Sequence, residues 1–263
     1  MQNRQIVLKA HPQGAPTPDD FDLSTCEAPM PGEGQMLVRN LFFSLEAAIR
    51  GWLDGKANYF EPIPLGGAIR GPSVAKVITS HLPGFEAGDL IFGLHHWEDY
   101  SLSDANTILL SKLTPEADIP LSYYAGGLGG SGHTAYVGLH EIGNIQAGDT
   151  VLISAAAGAT GSMATQIAKL RGCKVVGIVG GDNKCQIVTD TLGADAAINY
   201  KTCEDLTSAI HEACPEGVDV YFDNVGGKTL DAALNCMNTF GRIIGCGMIG
   251  DYNDQDNPTP LFN

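Results

Sequence analysis

The sequence predicts an α/β protein in two parts: a β-rich stretch over residues 1–125, then a doubly wound parallel sheet over 126–263. Three observations carry this. Residues 149–184 run through a short apolar segment, Thr150–Ser154, a small-residue turn over 155–162, and a helical recurrence of Met163, Ile167, Ala168 and Leu170. Arg171-Gly172 stops that helix, and a second apolar run, Lys174–Val179, follows. Strand, glycine turn, helix, strand is the βαβ unit of a parallel sheet. The second observation is that this alternation continues to residue 246. The third is that turn signals before residue 125 come too often for helices.

The first part starts with a strand over 5–9, broken by Pro12, Gly14, Pro16 and Pro18. A turn over 29–34 feeds an alternating strand, Gln35–Phe43. A short helical turn is expected over 46–53 and a glycine bend over 66–71. Further strands are expected over 73–80, 89–94, 97–102 and 107–112. Many short strands with frequent turns suit a small barrel or a sandwich. Beyond residue 122 the texture turns glycine-dense, and Thr134, Val137 and Leu139 begin a helix running toward Ile142. After Val179 a helix is expected over 184–192, a strand at Ala196–Asn199, and a helix at Leu206–Ala213. An apolar strand, Val218–Asp223, then ends in Asp-Asn. A helix over 230–237 and a strand over 242–246 complete the series.

Fifteen Lys and Arg against thirty Asp and Glu give a net charge of −15, which argues against wrapping nucleic acid or adhering to an anionic membrane. No apolar run reaches spanning length, and the N-terminus lacks the apolar centre of a signal peptide. Seven cysteines with no C-x-x-C spacing fit a reducing, cytoplasmic setting and no disulfide framework. The His95-His96 pair invites a metal reading, but nothing nearby supplies the other ligands, so no metal is expected.

The turn carries Ala155, Gly158 and Gly161 in A-x-x-G-x-x-G spacing. A pyrophosphate can bind the unpaired N–H groups of a helix's first turn if the main chain comes close. Gly158 and Gly161 leave that room, and Ala157, Ala159 and Thr160 add little bulk. The same residues suit a plain strand-to-helix turn; the flanking strands favour the dinucleotide reading.

With these pieces placed, the sequence resembles the zinc-independent medium-chain dehydrogenases/reductases, in the branch of prostaglandin, alkenal double-bond and curcumin reductases. The resemblance spans nearly the whole chain. It is carried by NLFFSLEAAIRGW at 40–52, SGHTAYVGLHEIG at 131–143, VLISAAAGATGS at 151–162, INYK at 198–201, YFDNVGG at 221–227 and GRIIGCGMIGDYN at 241–253. The chain departs from that pattern at 46–50, where Glu-Ala-Ala-Ile-Arg replaces the usual D-P-x-M-R, and in the loop GGLGGSGH before Thr134. It also stops at PTPLFN, before the segment with which relatives finish their sheet, which fits a fragment, a truncated paralogue or a degenerate copy.

The resemblance implies a GroES-like β-barrel domain joined to a Rossmann domain, with an active site in the cleft between them. It implies NADPH-dependent, metal-free reduction of the carbon–carbon double bond of α,β-unsaturated ketones and aldehydes. Quinone reduction and a non-catalytic NADPH-binding protein are the alternatives, and a homodimer is possible. Lys184 and Tyr200, beside Gly180, are placed on the extra phosphate of NADP, although Asp182 lies where NAD-binding chains keep an acid. Asn224 would reach the cofactor ribose or form an Asx turn. Cys246, Gly247, Met248 and Ile249 would line the nicotinamide, with Ser131 and Thr134 near its amide; Ser131 could equally cap a helix. Tyr252 is the candidate for stabilising an enolate and supplying a proton, or for orienting the group that does. Trp52, Tyr59 and Trp97 would wall the enone pocket or simply fill a core.

Overall fold

The structure, a computed structural model, describes residues 1–56, 60–254 and 259–260, and divides into two units, Met1–Gly126 and Gly127–Asn263. Tyr59 lies outside the described residues.

In the first unit, β1 (Gln2–Leu8) pairs antiparallel with β2 (Phe21–Glu27), with Gln2 opposite Glu27 and Leu8 opposite Phe21. Strands β3 (Gln35–Phe43), β4 (Arg70–Ser80), β5 (Leu90–His96), β6 (Tyr100–Asp104) and β7 (Ser111–Leu113) form an antiparallel sheet in the order β6-β3-β4-β5-β7. Isolated bridges from Gln5 to Glu98 and from Val7 to Ala68 tie the ribbon to this sheet. One core gathers Leu8, Ile49, Trp52, Leu53, Ile63 and Ile69; another gathers Met36, Val38, Ala75, Val77 and Ile91. The expected helical turn is a 3-10 turn, Ala47–Trp52.

Several strand bounds need correction: the strand expected over 5–9 is Gln2–Leu8, that over 73–80 begins at Arg70, and that over 89–94 runs Leu90–His96. The strand expected over 97–102 starts at Tyr100, because Trp97 and Glu98 are used on the ribbon: Ile6 N–H donates to the Trp97 carbonyl at 2.9 Å. The one expected over 107–112 shrinks to Ser111–Leu113, since Thr107 Oγ1 accepts from Asp104 N–H at 3.0 Å and closes a turn instead. Strand β2 was not expected at all. Its sequence, FDLSTCE, leaves nearly every side chain exposed and shows no apolar alternation.

Buried in this unit, His95 contacts Ser73 Oγ at 2.8 Å and Ser103 Oγ at 3.3 Å, and Ser73 donates to Asn40 Oδ1 at 2.8 Å. Burial, with a smaller push from His96, lowers the His95 pKa to about 4. The unfolded chain therefore takes up a proton near pH 6.5 that the folded chain refuses until about pH 4. Stability should fall as the pH drops through that window, by on the order of 3 kcal/mol from this residue at about 1.4 kcal/mol per pH unit. Urea midpoints of the native chain and of His95→Gln should converge between pH 7 and pH 4.5; parallel slopes would remove His95 as the cause.

In the second unit, α1 (Gly130–Val137) precedes β8 (Thr150–Ser154), α2 (Ala159–Leu170) and β9 (Lys174–Val179). Then come α3 (Asp182–Gln186), β10 (Ala196–Asn199), α4 (Leu206–Ala213), β11 (Val218–Asp223), α5 (Gly227–Leu234) and β12 (Met237–Gly245). The five strands are parallel in the order β10-β9-β8-β11-β12. Both faces are buried, as a parallel sheet requires. Val151, Ile153, Val175, Val220 and Phe222 pack with Ala135, Ala164 and Ala168 of α1 and α2. Leu152, Val176, Ile178 and Tyr221 pack with Ile210, Ala232 and Ala233 of α4 and α5.

Five strand-and-helix bounds match expectation, at Thr150–Ser154, Lys174–Val179, Ala196–Asn199, Leu206–Ala213 and Val218–Asp223; others shift. The helix expected from Thr134 begins at Gly130, and within it Gly132 packs where a Cβ would lie 1.7 Å from the Gly127 carbonyl oxygen. Its cap is Gly129, so Ser131 is not the capping residue. The helix expected over 184–192 starts at Asp182 and widens into a π-turn, Ile187–Thr191. The helix expected over 230–237 spans Gly227–Leu234, and Met237 already belongs to β12. Among the described residues, no helix is long and apolar enough to cross a membrane.

Candidate functional site

Strands β8 and β9 end side by side, with Ser154 in register with Ile178. Beyond Ser154 the chain turns sharply. Ala155 adopts φ +48°, Gly158 N–H donates to the Ala155 carbonyl at 2.8 Å, and α2 starts at Ala159. Gly161 sits against the back of this turn: a Cβ there would lie 2.2 Å from the Ala155 carbonyl oxygen. Gly180, past the end of β9, lies under the ring of Tyr200, whose hydroxyl would be 2.9 Å from a Cβ. Close approach to main chain therefore requires a glycine at 161, whereas at Gly180 the neighbour is the half-exposed Tyr200 ring, which has room to shift.

A cavity of about 590 Å³ opens at these strand ends. Its walls include Ala155, Ala157 and Gly158 from the turn, Gly180, Lys184, Tyr200 and Lys201 on one side, and residues 225–229 and 249–251 on the other, with Thr259. Of the residues singled out from the sequence, Ala157, Gly158, Gly180, Lys184, Tyr200 and Ile249 face it. Ala159, Thr160 and Gly161 lie just behind, in the first turn of α2. Ser131 and Thr134 are on α1 and off the cavity wall; Asn224, past β11, and Cys246, Gly247, Met248 and Tyr252, past β12, are off it too. Trp52 and Trp97 belong to the first unit, where Trp52 is 3% exposed in the core and stacks edge-on to Phe60.

The far wall is set by a buried knot. Asp223, ending β11, receives the Tyr221 hydroxyl at 2.8 Å, the Ser154 hydroxyl at 3.2 Å, and the N–H groups of Val225 and Gly226 at 3.0 Å each, all on Oδ1. Burial, then the carboxylate, raises the Tyr221 pKa, so it remains a phenol donor. Asp223, not Asn224, forms the turn into Gly226. Asn224 is fastened to β8, its Nδ2 donating to the Ser154 carbonyl at 2.7 Å and its own N–H to Ser154 Oγ at 2.8 Å. Beside it, burial and then Asp223 push the Cys246 thiol up to about 11. Tyr252 folds back on the same strand end, its hydroxyl accepting from Met248 N–H at 3.4 Å.

The residues missed from sequence are Asp223, Lys201, Lys228 and Asp251. Lys201, Lys228 and Asp251 read as surface charges until the topology carries them to one strand-end crevice, and Asp223 reads only as the end of an apolar strand until its neighbours are in place. Lys184, Lys201 and Lys228 line the cavity against one acid, Asp251, whose Oδ1 is held by Thr259 Oγ1 at 2.7 Å. Three cations and one anion leave the walls positive in a chain of net charge −15. No group of three His, Cys, Asp or Glu is arranged to hold a metal among the described residues.

A five-stranded parallel sheet in this order, with a glycine turn and a crevice where the strand order reverses, defines a dinucleotide-binding Rossmann unit. Residues 4–110 match the family described as the N-terminal domain of oxidoreductase, and residues 159–263 the one described as zinc-binding dehydrogenase. The chain belongs to the medium-chain dehydrogenase/reductase family, in the zinc-independent branch of curcumin, alkenal and prostaglandin reductases, and its first unit is that family's GroES-like domain.

Among its relatives is the NADPH-dependent curcumin reductase of Escherichia coli strain K12, 39% identical over 257 residues, which cover 98% of this chain and 73% of that protein. The NADP-dependent 2-alkenal reductase of Nicotiana tabacum is 40% identical, across 96% of this chain and 74% of that one. The crystal structure of CurA in complex with NADPH from Vibrio vulnificus aligns with a TM-score of 0.88 at 41% identity, over 98% of this chain and 75% of that chain.

Proposed function

We propose that this chain is an NADPH-dependent reductase of carbon–carbon double bonds conjugated to a ketone or aldehyde. The observation that carries the reading is the positive cavity over the Gly158 turn, built from lysines in an otherwise acidic protein. The family supports it, since relatives named for curcumin and alkenal reduction share about two-fifths of its residues. The cavity chemistry fits the cofactor: bare main chain at Gly158 for a pyrophosphate, and Lys184, Lys201 and Tyr200 together for a phosphate dianion.

When bound, the reduced nicotinamide supplies a hydride to the β-carbon of the enone. The chain's part is then to hold and to neutralise. The glycine turn fixes the diphosphate, and Lys184 and Tyr200 select the phosphorylated ribose. Asn224, Cys246, Gly247, Met248 and Ile249 shape the strand end, with Ser131 and Thr134 on the neighbouring helix. Tyr252 is the group proposed to polarise the developing enolate oxygen and to deliver or orient its proton. The Cys246 thiol, raised to about 11, stays protonated and acts as packing. Trp52 fills the core of the first unit and Trp97 packs against that core, so both are given a packing role and not a pocket wall. Seven free cysteines suit the reducing cytoplasm.

The test is direct. Loss of reduced-nicotinamide absorbance with a small enone, and a saturated carbonyl as product, is the expected result; NADPH binding without turnover of any enone would overturn the catalytic reading. Lys184→Ala should weaken NADPH binding by roughly tenfold, as loss of a charge-assisted phosphate contact does, and leave NADH binding nearly unchanged. Equal losses for both would take Lys184 off the phosphate.

A further inference from the structure

We infer that Asn199 helps choose between the two nicotinamide dinucleotides by holding the Asp182 carboxylate away from the phosphate site. The inference rests on the cofactor reading above. Strands β9 and β10 end together, with Asn199 in register with Val179. Three residues past Val179, Asp182 opens α3, twenty-one positions after Gly161, and Tyr200 and Lys201 follow Asn199. An acid about twenty residues past the glycine turn is what a dinucleotide site uses on an unphosphorylated ribose. Here it would meet a dianion.

The side chain of Asn199 resolves that conflict with its two ends. Its Nδ2 donates to Asp182 Oδ1 at 2.6 Å, while its Oδ1 accepts from Lys201 N–H at 3.1 Å. Its main-chain carbonyl also accepts from Thr202 N–H at 3.1 Å. One amide thus anchors an acid and sets the turn that carries a base. Lys184, Tyr200 and Lys201 reach the cavity wall and Asp182 does not. The negative charge of Asp182 also contributes, after burial, to raising the neighbouring Cys185 thiol. Asp182 stands two residues before Lys184 on the same short helix, so a carboxylate released from Asn199 would add negative charge beside the lysines that would receive the phosphate, where like charges repel.

Adenosine 2′,5′-bisphosphate and adenosine 5′-monophosphate, titrated calorimetrically, isolate the extra phosphate from the rest of the cofactor. Asn199→Ala should weaken the bisphosphate by roughly fivefold and leave the monophosphate unchanged, which also shows that the variant is folded. Adding Asp182→Ala to that variant should restore bisphosphate affinity. An unchanged bisphosphate-to-monophosphate ratio in Asn199→Ala overturns the inference. So does failure of the second substitution to rescue, which would leave Asn199 acting only through the Lys201 turn. A native protein that binds both nucleotides equally sinks the cofactor reading itself, a result visible before any variant is made.

Discussion

Gly161→Ala is expected to cost both the fold of the second unit and its grip on NADPH. The new methyl group would meet the Ala155 carbonyl oxygen at 2.2 Å and the Ala155 carbon and Ala156 Cα at 2.9 Å. All three are main-chain atoms at the end of a fully buried strand, so none can swing aside. Forcing extra volume into packed main chain costs about 1–3 kcal/mol. Relief comes only by moving the turn that forms the cavity floor, and a displaced cradle should bind NADPH roughly tenfold more weakly or worse. Gly158→Ala is the useful contrast. Gly158 has an ordinary φ of −77°, and its nearest neighbour would be 3.1 Å away, so its stability loss should be small while cavity access is still narrowed. Urea midpoints and NADPH titrations of the two variants check this; equal stability losses would refute the assignment of Gly161 to the back of the turn.

The second large effect belongs to Asp223. Its Oδ1 collects four donors in a position 4% exposed to solvent. Asp223→Ala strands the Tyr221 hydroxyl and the Val225 and Gly226 N–H groups in a buried site. Each unsatisfied donor costs about 1–3 kcal/mol, so a total loss of about 3–5 kcal/mol is expected after some readmission of water. Asp223→Asn keeps an acceptor oxygen and should lose less than half of that. Chemical denaturation of both variants measures the difference. If alanine and asparagine destabilise alike, the carboxylate is not what ties the far wall to β8.

The Rossmann half was legible from sequence because its signals are local. Thr150–Ser154, Lys174–Val179 and Val218–Asp223 are apolar runs that only a doubly covered sheet can bury, and their bounds could be read directly. Strand β2 was illegible for the opposite reason: it borrows its hydrogen bonds from β1 and buries almost nothing. The start of β12 was hidden because Cys236 and Met237 continue an apolar helical spacing that only the cap at Asn235 interrupts. At the site, glycines and Lys184 announce themselves by motif. Asp223 and Asn199 do not, since their meaning lies in which neighbours the parallel register sets beside them. Asn224 was read for its amide and is found fastened by it to Ser154.

The left-handed bend at Ala155 has a thermodynamic corollary. A residue with a Cβ pays about 1–2 kcal/mol to sit there, and that strain is met once, during folding, by the packing of β8. Main chain already locked in shape has little conformational freedom left to surrender when a nucleotide arrives. Complex formation at this crevice should consequently show a modest entropic penalty, and Ala155→Gly should raise thermal stability while making that penalty larger.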